Sequence, residues 1–305
     1  MKKLNIAVSV GDLNGVGIEI ALKAHDEVCK LCEPIYCINK NMLNQASQLL
    51  KLDIPQDIKL HNVDGNFKIE AGKIDIKSGI YSYESFLNAI ELCEEDKADA
   101  VVTMPIHKEA WMLAGVEYKG HTDLLRQYFD KDAIMMLGCK EMFVALYTEH
   151  IPLKDVASQI KTDKLTQFFL DLHKSIGDKK VAVLGLNPHA GDNGVLGNEE
   201  IKIDKAIQEA NTIIGKELFI GSLVPDVAFT PHSRANFNYF VAMYHDQGLT
   251  PLKALYFDES VNISLNLPII RTSVDHGTAF DIAYKGKAKT LSYINAIKSA
   301  IELHK

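Results

Sequence analysis

Short runs of β-branched and apolar residues alternate along this chain with longer stretches whose apolar residues recur at helical spacing. No other feature narrows the available folds as much. Ile6 to Val10, Ile35 to Ile38, Ala100 to Thr103, Phe143 to Tyr147, Val181 to Leu186 and Val241 to Tyr244 read as strands. Gly17 to Lys30, Tyr81 to Glu94 and Glu199 to Ile214 read as helices. Strands separated by helices pair in parallel through crossovers, so the pattern predicts an α/β fold with a largely parallel sheet. At 305 residues the chain suits one large α/β domain or two sharing a cleft. No internal repeat, low-complexity segment or linker interrupts it.

Charge excludes some partners. A net charge of -7 and an isoelectric point near 5.9 argue against nucleic acid or an anionic membrane, both of which need a basic face. An anionic small molecule remains open, since a few local cations suffice for it. Met1-Lys2-Lys3 with Leu4 to Val10 is too short and too interrupted, by Asn5, for a signal peptide and reads as a first strand. No apolar run reaches the length of a membrane span, and a cytoplasmic protein is expected. The five cysteines, at 29, 32, 37, 93 and 139, form no even framework. Cys29-Lys-Leu-Cys32 is a lone CxxC near the end of a predicted helix, and the thiols read as structural.

In folds of this class ligands bind at the carboxyl ends of strands, so polar clusters just after apolar runs carry the most weight. There are five: GDLNGVG at 11–17, TEHIPL at 148–153, LNPHAGD at 186–192, YHDQG at 244–248 and RTSVDHGTA at 271–279. The first invites a phosphate-loop reading but matches neither GxGxxG nor GxxxxGK[ST], which leaves a tight strand-to-helix turn. His150, His189 and His245 each follow a strand, and each is either a hydrogen-bonded turn histidine or a metal ligand. Their separations of 39 and 56 residues match no compact metal signature. Asp246 reads as a helix N-cap or a metal partner, and Gly248 as a tight turn. Lys253 and Arg271 pair a point charge with a guanidinium fork, which suits phosphate or carboxylate. The apolar Leu267 to Ile270 suggests that Arg271 ends a strand. Gly120-His121-Thr122-Asp123 is a donor-rich turn or a helix cap.

Taken together, GDLNGVG, TMPIHKEA, GHTDLL, TEHIPL, LNPHAGDNGVLGNEE, MYHDQGLTPLK and LPIIRTSVDHGTAFDIA resemble, in order and spacing, the 4-hydroxythreonine-4-phosphate dehydrogenase (PdxA) family, from residue 4 to about residue 300. The resemblance implies an α/β/α fold like that of isocitrate and isopropylmalate dehydrogenases, with two subdomains flanking a cleft. Their expected extents are 1–125 with 265–305 on the cofactor side, and 126–264 on the metal and dimerisation side. HGTAFDIA is similar to the nicotinamide-cofactor motif of those dehydrogenases, which accounts for the missing GxGxxG.

Carried over by motif, His150, His189 and His245 are expected as ligands of a divalent metal (zinc, magnesium or cobalt). His121, Thr122, Lys253, Asn262 and Arg271 form the expected substrate set. Asn187, His276, Gly277, Ala279 and Asp281 form the expected cofactor set, for NAD with NADP as the alternative. Asp226, Lys253 and a water on the metal are the candidate bases. The resemblance further implies a homodimer with shared active sites, His245 of one chain meeting His150 and His189 of the other. Leu13, Asn14 and Ile18 depart from the usual GDPxGIGPE, and Asp123 replaces the usual glutamate of GHTE.

The implied reaction is NAD-dependent, metal-assisted oxidation of 4-phosphohydroxy-L-threonine to a β-keto acid that decarboxylates, a step of pyridoxal phosphate biosynthesis. Two rivals stand beside it: a dehydrogenase of threonate or erythronate 4-phosphate, and a non-catalytic sensor of a phosphorylated metabolite.

Overall fold

The computed structural model describes residues 3–304. Met1 and Lys2, which open the stretch rejected above as a signal peptide, lie outside the described residues, as does Lys305. The chain forms two compact units. Unit 1 runs to Lys131 and takes in Val261–Ile263 and everything from Leu267 onward, while unit 2 comprises Asp132–Ser260 and Ser264–Asn266. The first crossing falls after the helix His121–Phe129, which buries Thr122, Leu124 and Leu125 and stays whole, where a boundary at 125/126 would cut it.

In chain order the first elements are β1 (Asn5–Ser9), α1 (Gly17–Leu31), β2 (Glu33–Cys37), α2 (Lys40–Leu50), β3 (Lys59–His61), α3 (Ile76–Glu94), β4 (Ala100–Thr103), α4 (Lys108–Leu113) and α5 (His121–Phe129). Unit 2 then supplies β5 (Ile134–Cys139), β6 (Met142–Leu146), α6 (Leu153–Gln159), α7 (Thr162–Ile176), β7 (Val181–Leu184), α8 (Glu199–Ile214), β8 (Phe219–Leu223), α9 (Pro231–Asn236), β9 (Tyr239–Ala242) and α10 (His245–Tyr256). β10 (Val261–Leu265), β11 (Arg271–Val274) and α11 (Leu291–Leu303) complete the chain.

Within unit 1 the strands run β3-β2-β1-β4-β11, all parallel. Ile6, Ala7, Val8, Ala100, Val101 and Val102 are fully buried, as expected of parallel strands covered on both faces. Within unit 2 the order is β5-β6-β9-β7-β8, parallel except for the β5–β6 hairpin. Its core joins Val144, Leu146, Ala182, Leu184, Phe240 and Ala242 to Leu249 and Leu252 of α10. β5 escapes the strand pattern because Ile134-Met-Met-Leu-Gly-Cys139 has only one β-branched residue. No helix among the described residues is long and apolar enough to cross a membrane.

Three local expectations are corrected. Arg271 opens β11 and does not end a strand; Asn266 at φ 59 and Pro268, which has no N–H to give, keep 267–269 out of the ladder, which Ile270 O rejoins by accepting from Val101 N (2.9 Å). Gly248 makes no turn, since it lies buried inside α10, where a Cβ would strike Val144 and come within 2.9 Å of Ala242 Cβ. Its role is to let the helix lie close on β6 and β9. Asp246 is not the N-cap of α10; that position is held by Tyr244.

Candidate active site

Unit 1 gathers polar residues at the carboxyl ends of β1, β4 and β11, and most of them are buried. The turn after β1 is tight, because Gly11 sits at φ +68 and a Cβ on Gly15 would approach Thr278 O to 2.9 Å. Asn14, one of the departures from the family pattern, is the hub of this turn. Its amide gives to Lys73 O (2.9 Å), its Oδ1 accepts from Glu70 N (2.9 Å), and its own N–H goes to Asp12 Oδ1 (2.9 Å). Leu13 and Ile18, the other departures, are buried in the core.

Asp12 is fully buried, and burial raises its pKa, an effect that hydrogen bonds from Ser78 and the Asn14 backbone oppose. Its Oδ2 and the Nδ1 of His107 are buried with no hydrogen-bond partner among the described residues. The His107 ring stacks on Phe280 with centroids 4.8 Å apart, so Asp12 and His107 stand beside the loop 275–281 that was expected to hold the cofactor. Sequence reading missed both, although each lies inside a recognised motif, because orphaned polar atoms are visible only once burial is known.

Of the expected cofactor residues, His276, Gly277, Ala279 and Asp281 share that loop. His276 Nδ1 lies 3.0 Å from Gly277 O, Gly277 has open space around it, and Ala279 is left-handed at φ 44. Val16 N bonds Thr278 O (3.0 Å) and Tyr284 gives its hydroxyl hydrogen to Leu13 O (2.7 Å), which ties the loop to the N-terminal turn. The surroundings fit a backbone-lined cradle around an open glycine. Asn187, the fifth expected contact, belongs to unit 2. There it gives both amide hydrogens to carboxylates, at 2.8 Å to Glu199 and 2.9 Å to Glu200, so its side chain braces its own loop.

Arg271 is 2% exposed at the start of β11. It donates to Asn262 Oδ1 (3.0 Å) and to Thr103 Oγ1 (2.7 Å). Burial lowers its pKa to about 9, which still leaves it cationic at neutral pH. Burial, then the cations Arg271 and Lys108, hold the His121 pKa well below its usual 6.5. His121 is therefore neutral, wedged edge-on against Phe86 (4.6 Å) and Trp111 (5.6 Å), and its Nε2 finds no partner among the described residues. Thr122 is buried beside it in sequence. Four of the five expected substrate residues thus lie in unit 1. The fifth, Lys253, is half-buried on α10 of unit 2 with its ammonium 5.5 Å from the Phe257 ring centre.

Unit 2 brings the three expected metal ligands to one sheet edge, because β6, β9 and β7 are adjacent and parallel and the histidines follow their ends. Backbone bonds from Tyr147 to Ala242 (2.9 Å) and from Thr148 to Met243 (3.2 Å) extend the β6–β9 pairing, which sets the His150 and His245 turns side by side. Their ring centroids are 5.4 Å apart. Two imidazoles on one tetrahedral metal at ordinary bond lengths have centroids roughly 5 Å apart, so the pair fits such an ion. Asp246 Oδ1 lies 2.8 Å from His245 Nδ1, which directs the proton there and leaves Nε2 as the free donor. Gln247 anchors the start of α10 by bonding Gly185 O (2.7 Å) and accepting from Met243 N (2.7 Å).

His189 is itself exposed and stands apart, in a run of left-handed residues, 189 to 193. The buried Glu200 carboxylate holds the root of that loop through Leu186 N and Asn187 N, both at 2.8 Å. The donor nitrogens of the three histidines do not all fall within 4.8 Å of one another. Strand adjacency thus pairs His150 with His245 of the same chain, whereas the sequence-based expectation paired His150 with His189 and brought His245 from a second copy. Asp226, an expected base, is exposed on the turn after β8.

Residues 30–300 match the family described as pyridoxal phosphate biosynthetic protein PdxA. The chain belongs to the PdxA family. It is 72% identical over 303 residues to a protein of Sulfurimonas denitrificans named 4-hydroxythreonine-4-phosphate dehydrogenase, covering 99% of each chain. The crystal structure of 4-hydroxythreonine-4-phosphate dehydrogenase from Klebsiella pneumoniae superposes with a TM-score of 0.85 at 32% identity, covering 100% of both chains. An isocitrate dehydrogenase from Methylococcus capsulatus shares the fold at a TM-score of 0.50 and 14% identity, over 99% of this PdxA chain and 85% of the other. The isocitrate dehydrogenase-like architecture inferred from the sequence is thereby established.

Proposed function

We propose that this PdxA protein is a 4-hydroxythreonine-4-phosphate dehydrogenase. It would oxidise 4-phosphohydroxy-L-threonine with NAD to 2-amino-3-oxo-4-phosphooxybutanoate, which loses carbon dioxide to give 3-amino-2-oxopropyl phosphate. The observation that carries this reading is the 72% identity, along nearly the whole chain, to a relative of that name. The chemistry of the two units supports it. Arg271, with Asn262 and Thr122, holds the substrate's anionic groups, and the neutral His121 offers its unpartnered Nε2 to a substrate hydroxyl or amine. The loop carrying His276, Gly277, Ala279 and Asp281 takes the cofactor.

His150, His245 and His189 are the proposed ligands of a divalent ion, and imidazole donors suit zinc or cobalt better than magnesium. When bound, that ion supplies Lewis-acid stabilisation of negative charge on the reacting oxygen. Hydride passes from the hydroxyl-bearing carbon to NAD, and the hydroxyl proton passes to a base. Lys253 is favoured over Asp226 for that role, since it is half-buried on the helix that begins with His245 and Asp226 is exposed. A homodimer with shared sites, in which His245 of one chain meets His150 and His189 of the other, is the alternative to the same-chain His150–His245 pair.

Metal-replete protein mixed with NAD and 4-phosphohydroxy-L-threonine should form NADH and carbon dioxide in equal amounts. A chelator should stop the reaction, and added zinc or cobalt should restore it. NADH formed only from threonate or erythronate 4-phosphate would move the assignment to a sugar-acid dehydrogenase, and binding without NADH from any of these would make the protein a sensor. A monomer in sedimentation would remove the shared-site part.

A further inference from the structure

Unit 1 holds a second set of metal-ligand side chains that none of these roles uses. His25 and Cys29 sit one turn apart on the same face near the end of α1, and Asp57 reaches them from the segment between α2 and β3. Cys29 Sγ is 3.4 Å and Asp57 Oδ1 is 3.2 Å from the same nitrogen, His25 Nε2, and all three donor atoms lie within 4.8 Å of one another. Donors on a tetrahedral zinc ion are about 3.3 to 3.6 Å apart. The other ring nitrogen, Nδ1, lies 3.1 Å from the Tyr36 hydroxyl, an outer contact that fixes the imidazole with Nε2 facing the thiol and the carboxylate. A thiol activated for nucleophilic attack would have the carboxylate on the nitrogen opposite the thiol; here both face one nitrogen, which is how ligands converge on an ion.

We propose that His25, Cys29 and Asp57 form a zinc(II) site, separate from the three-histidine site, that fastens the end of α1 to the segment before β3. His25 is 1% exposed and Asp57 72%, so the imidazole is fixed while the ion enters from solvent and keeps a water in its remaining position. The surroundings favour a cation. The carboxylates of Asp57, Glu33 and Asp26 lie around the thiol, with Lys3 as the opposing charge. Binding converts Cys29–SH to a zinc thiolate and releases one proton to solvent, so affinity should rise with pH. Sequence reading took Cys29 and Cys32 together as structural thiols; folding separates them, since Cys32 is fully buried and Cys29 is not.

Cobalt(II) titration of the reduced full-length protein tests this, because only a thiolate ligand gives the near-ultraviolet sulfur-to-cobalt charge-transfer band and the three-histidine site contains no sulfur. The band should develop in wild type, bleach on adding zinc, persist in Cys32→Ser and vanish in Cys29→Ser. In Asp57→Asn, an exposed change that leaves the core alone, it should need more cobalt to develop. No band in wild type, a band surviving Cys29→Ser, or one lost in Cys32→Ser would overturn the proposal. Independently of any variant, zinc should slow alkylation of Cys29 as mapped by mass spectrometry. An unchanged rate would count against the site.

Discussion

The two units prepare chemistry in opposite ways. Unit 1 buries its candidate anion-binding groups and satisfies much of their polarity from within: Arg271 is 2% exposed and bonded to Thr103 and Asn262, and Asp12 is fully buried. Unit 2 leaves His150 and His189 exposed on turns and braces the turns instead, through Gln247, Glu200 and Asp246. A buried cation in a fixed hydrogen-bond frame recognises an anion without reorganising, because its desolvation was met during folding. Exposed imidazoles instead keep their hydration until an ion replaces it, even where, as for His150 and His245, the rings already stand 5.4 Å apart. Under the proposed function, unit 1 would offer a preformed anion subsite and unit 2 a pair of solvent-accessible ligands for a metal.

The sharpest break of this contrast is Arg271→Ala, which under the proposed function should weaken substrate binding by about tenfold to a hundredfold, the worth of a charge-assisted contact of roughly 1.5 to 3 kcal/mol. NAD binding should stay close to wild type. Calorimetric titration with each ligand reads both, and equal weakening would make Arg271 a structural residue only.

A smaller effect concerns His121. Its folded pKa lies below the usual 6.5, so above that pH both states are neutral and its effect on stability is nil. Below it the unfolded chain takes up a proton that the folded chain refuses, so stability is lost as pH falls from 6.5 toward the lower folded value. The slope from this one group reaches about 1.4 kcal/mol per pH unit. Denaturant midpoints measured between about pH 6.5 and pH 5 should fall less steeply in His121→Gln than in wild type. Parallel slopes would mean that His121 titrates normally.

Much of this arrangement is legible in the sequence. Apolar runs marked β1, β2, β4, β6 and β7 to within a residue or two, and the polar clusters after them do sit at strand ends. What stayed hidden depends on pairing between distant segments. That His150 meets His245 follows from β6 lying beside β9, and no spacing of 95 residues announces it. Asp57 reaches His25 from 32 residues away across a strand and a helix. Gly248 looked like a turn because glycine after a strand often is one, and only the packing of α10 on Val144 and Ala242 reveals a close-approach residue. Arg271 looked like a strand end because four apolar residues precede it, yet Asn266 and Pro268 turn the first three of them out of the ladder.

Substrate binding to metal-stripped protein tests the division of labour most directly. Calorimetric titration of the chelator-treated wild-type chain with 4-phosphohydroxy-L-threonine should still give saturable binding, weaker than with zinc restored, because Arg271 is held by Thr103 and Asn262 of its own unit. If removing the metal abolished binding altogether, the anion subsite would not be preformed, and the contrast between the two units would fail.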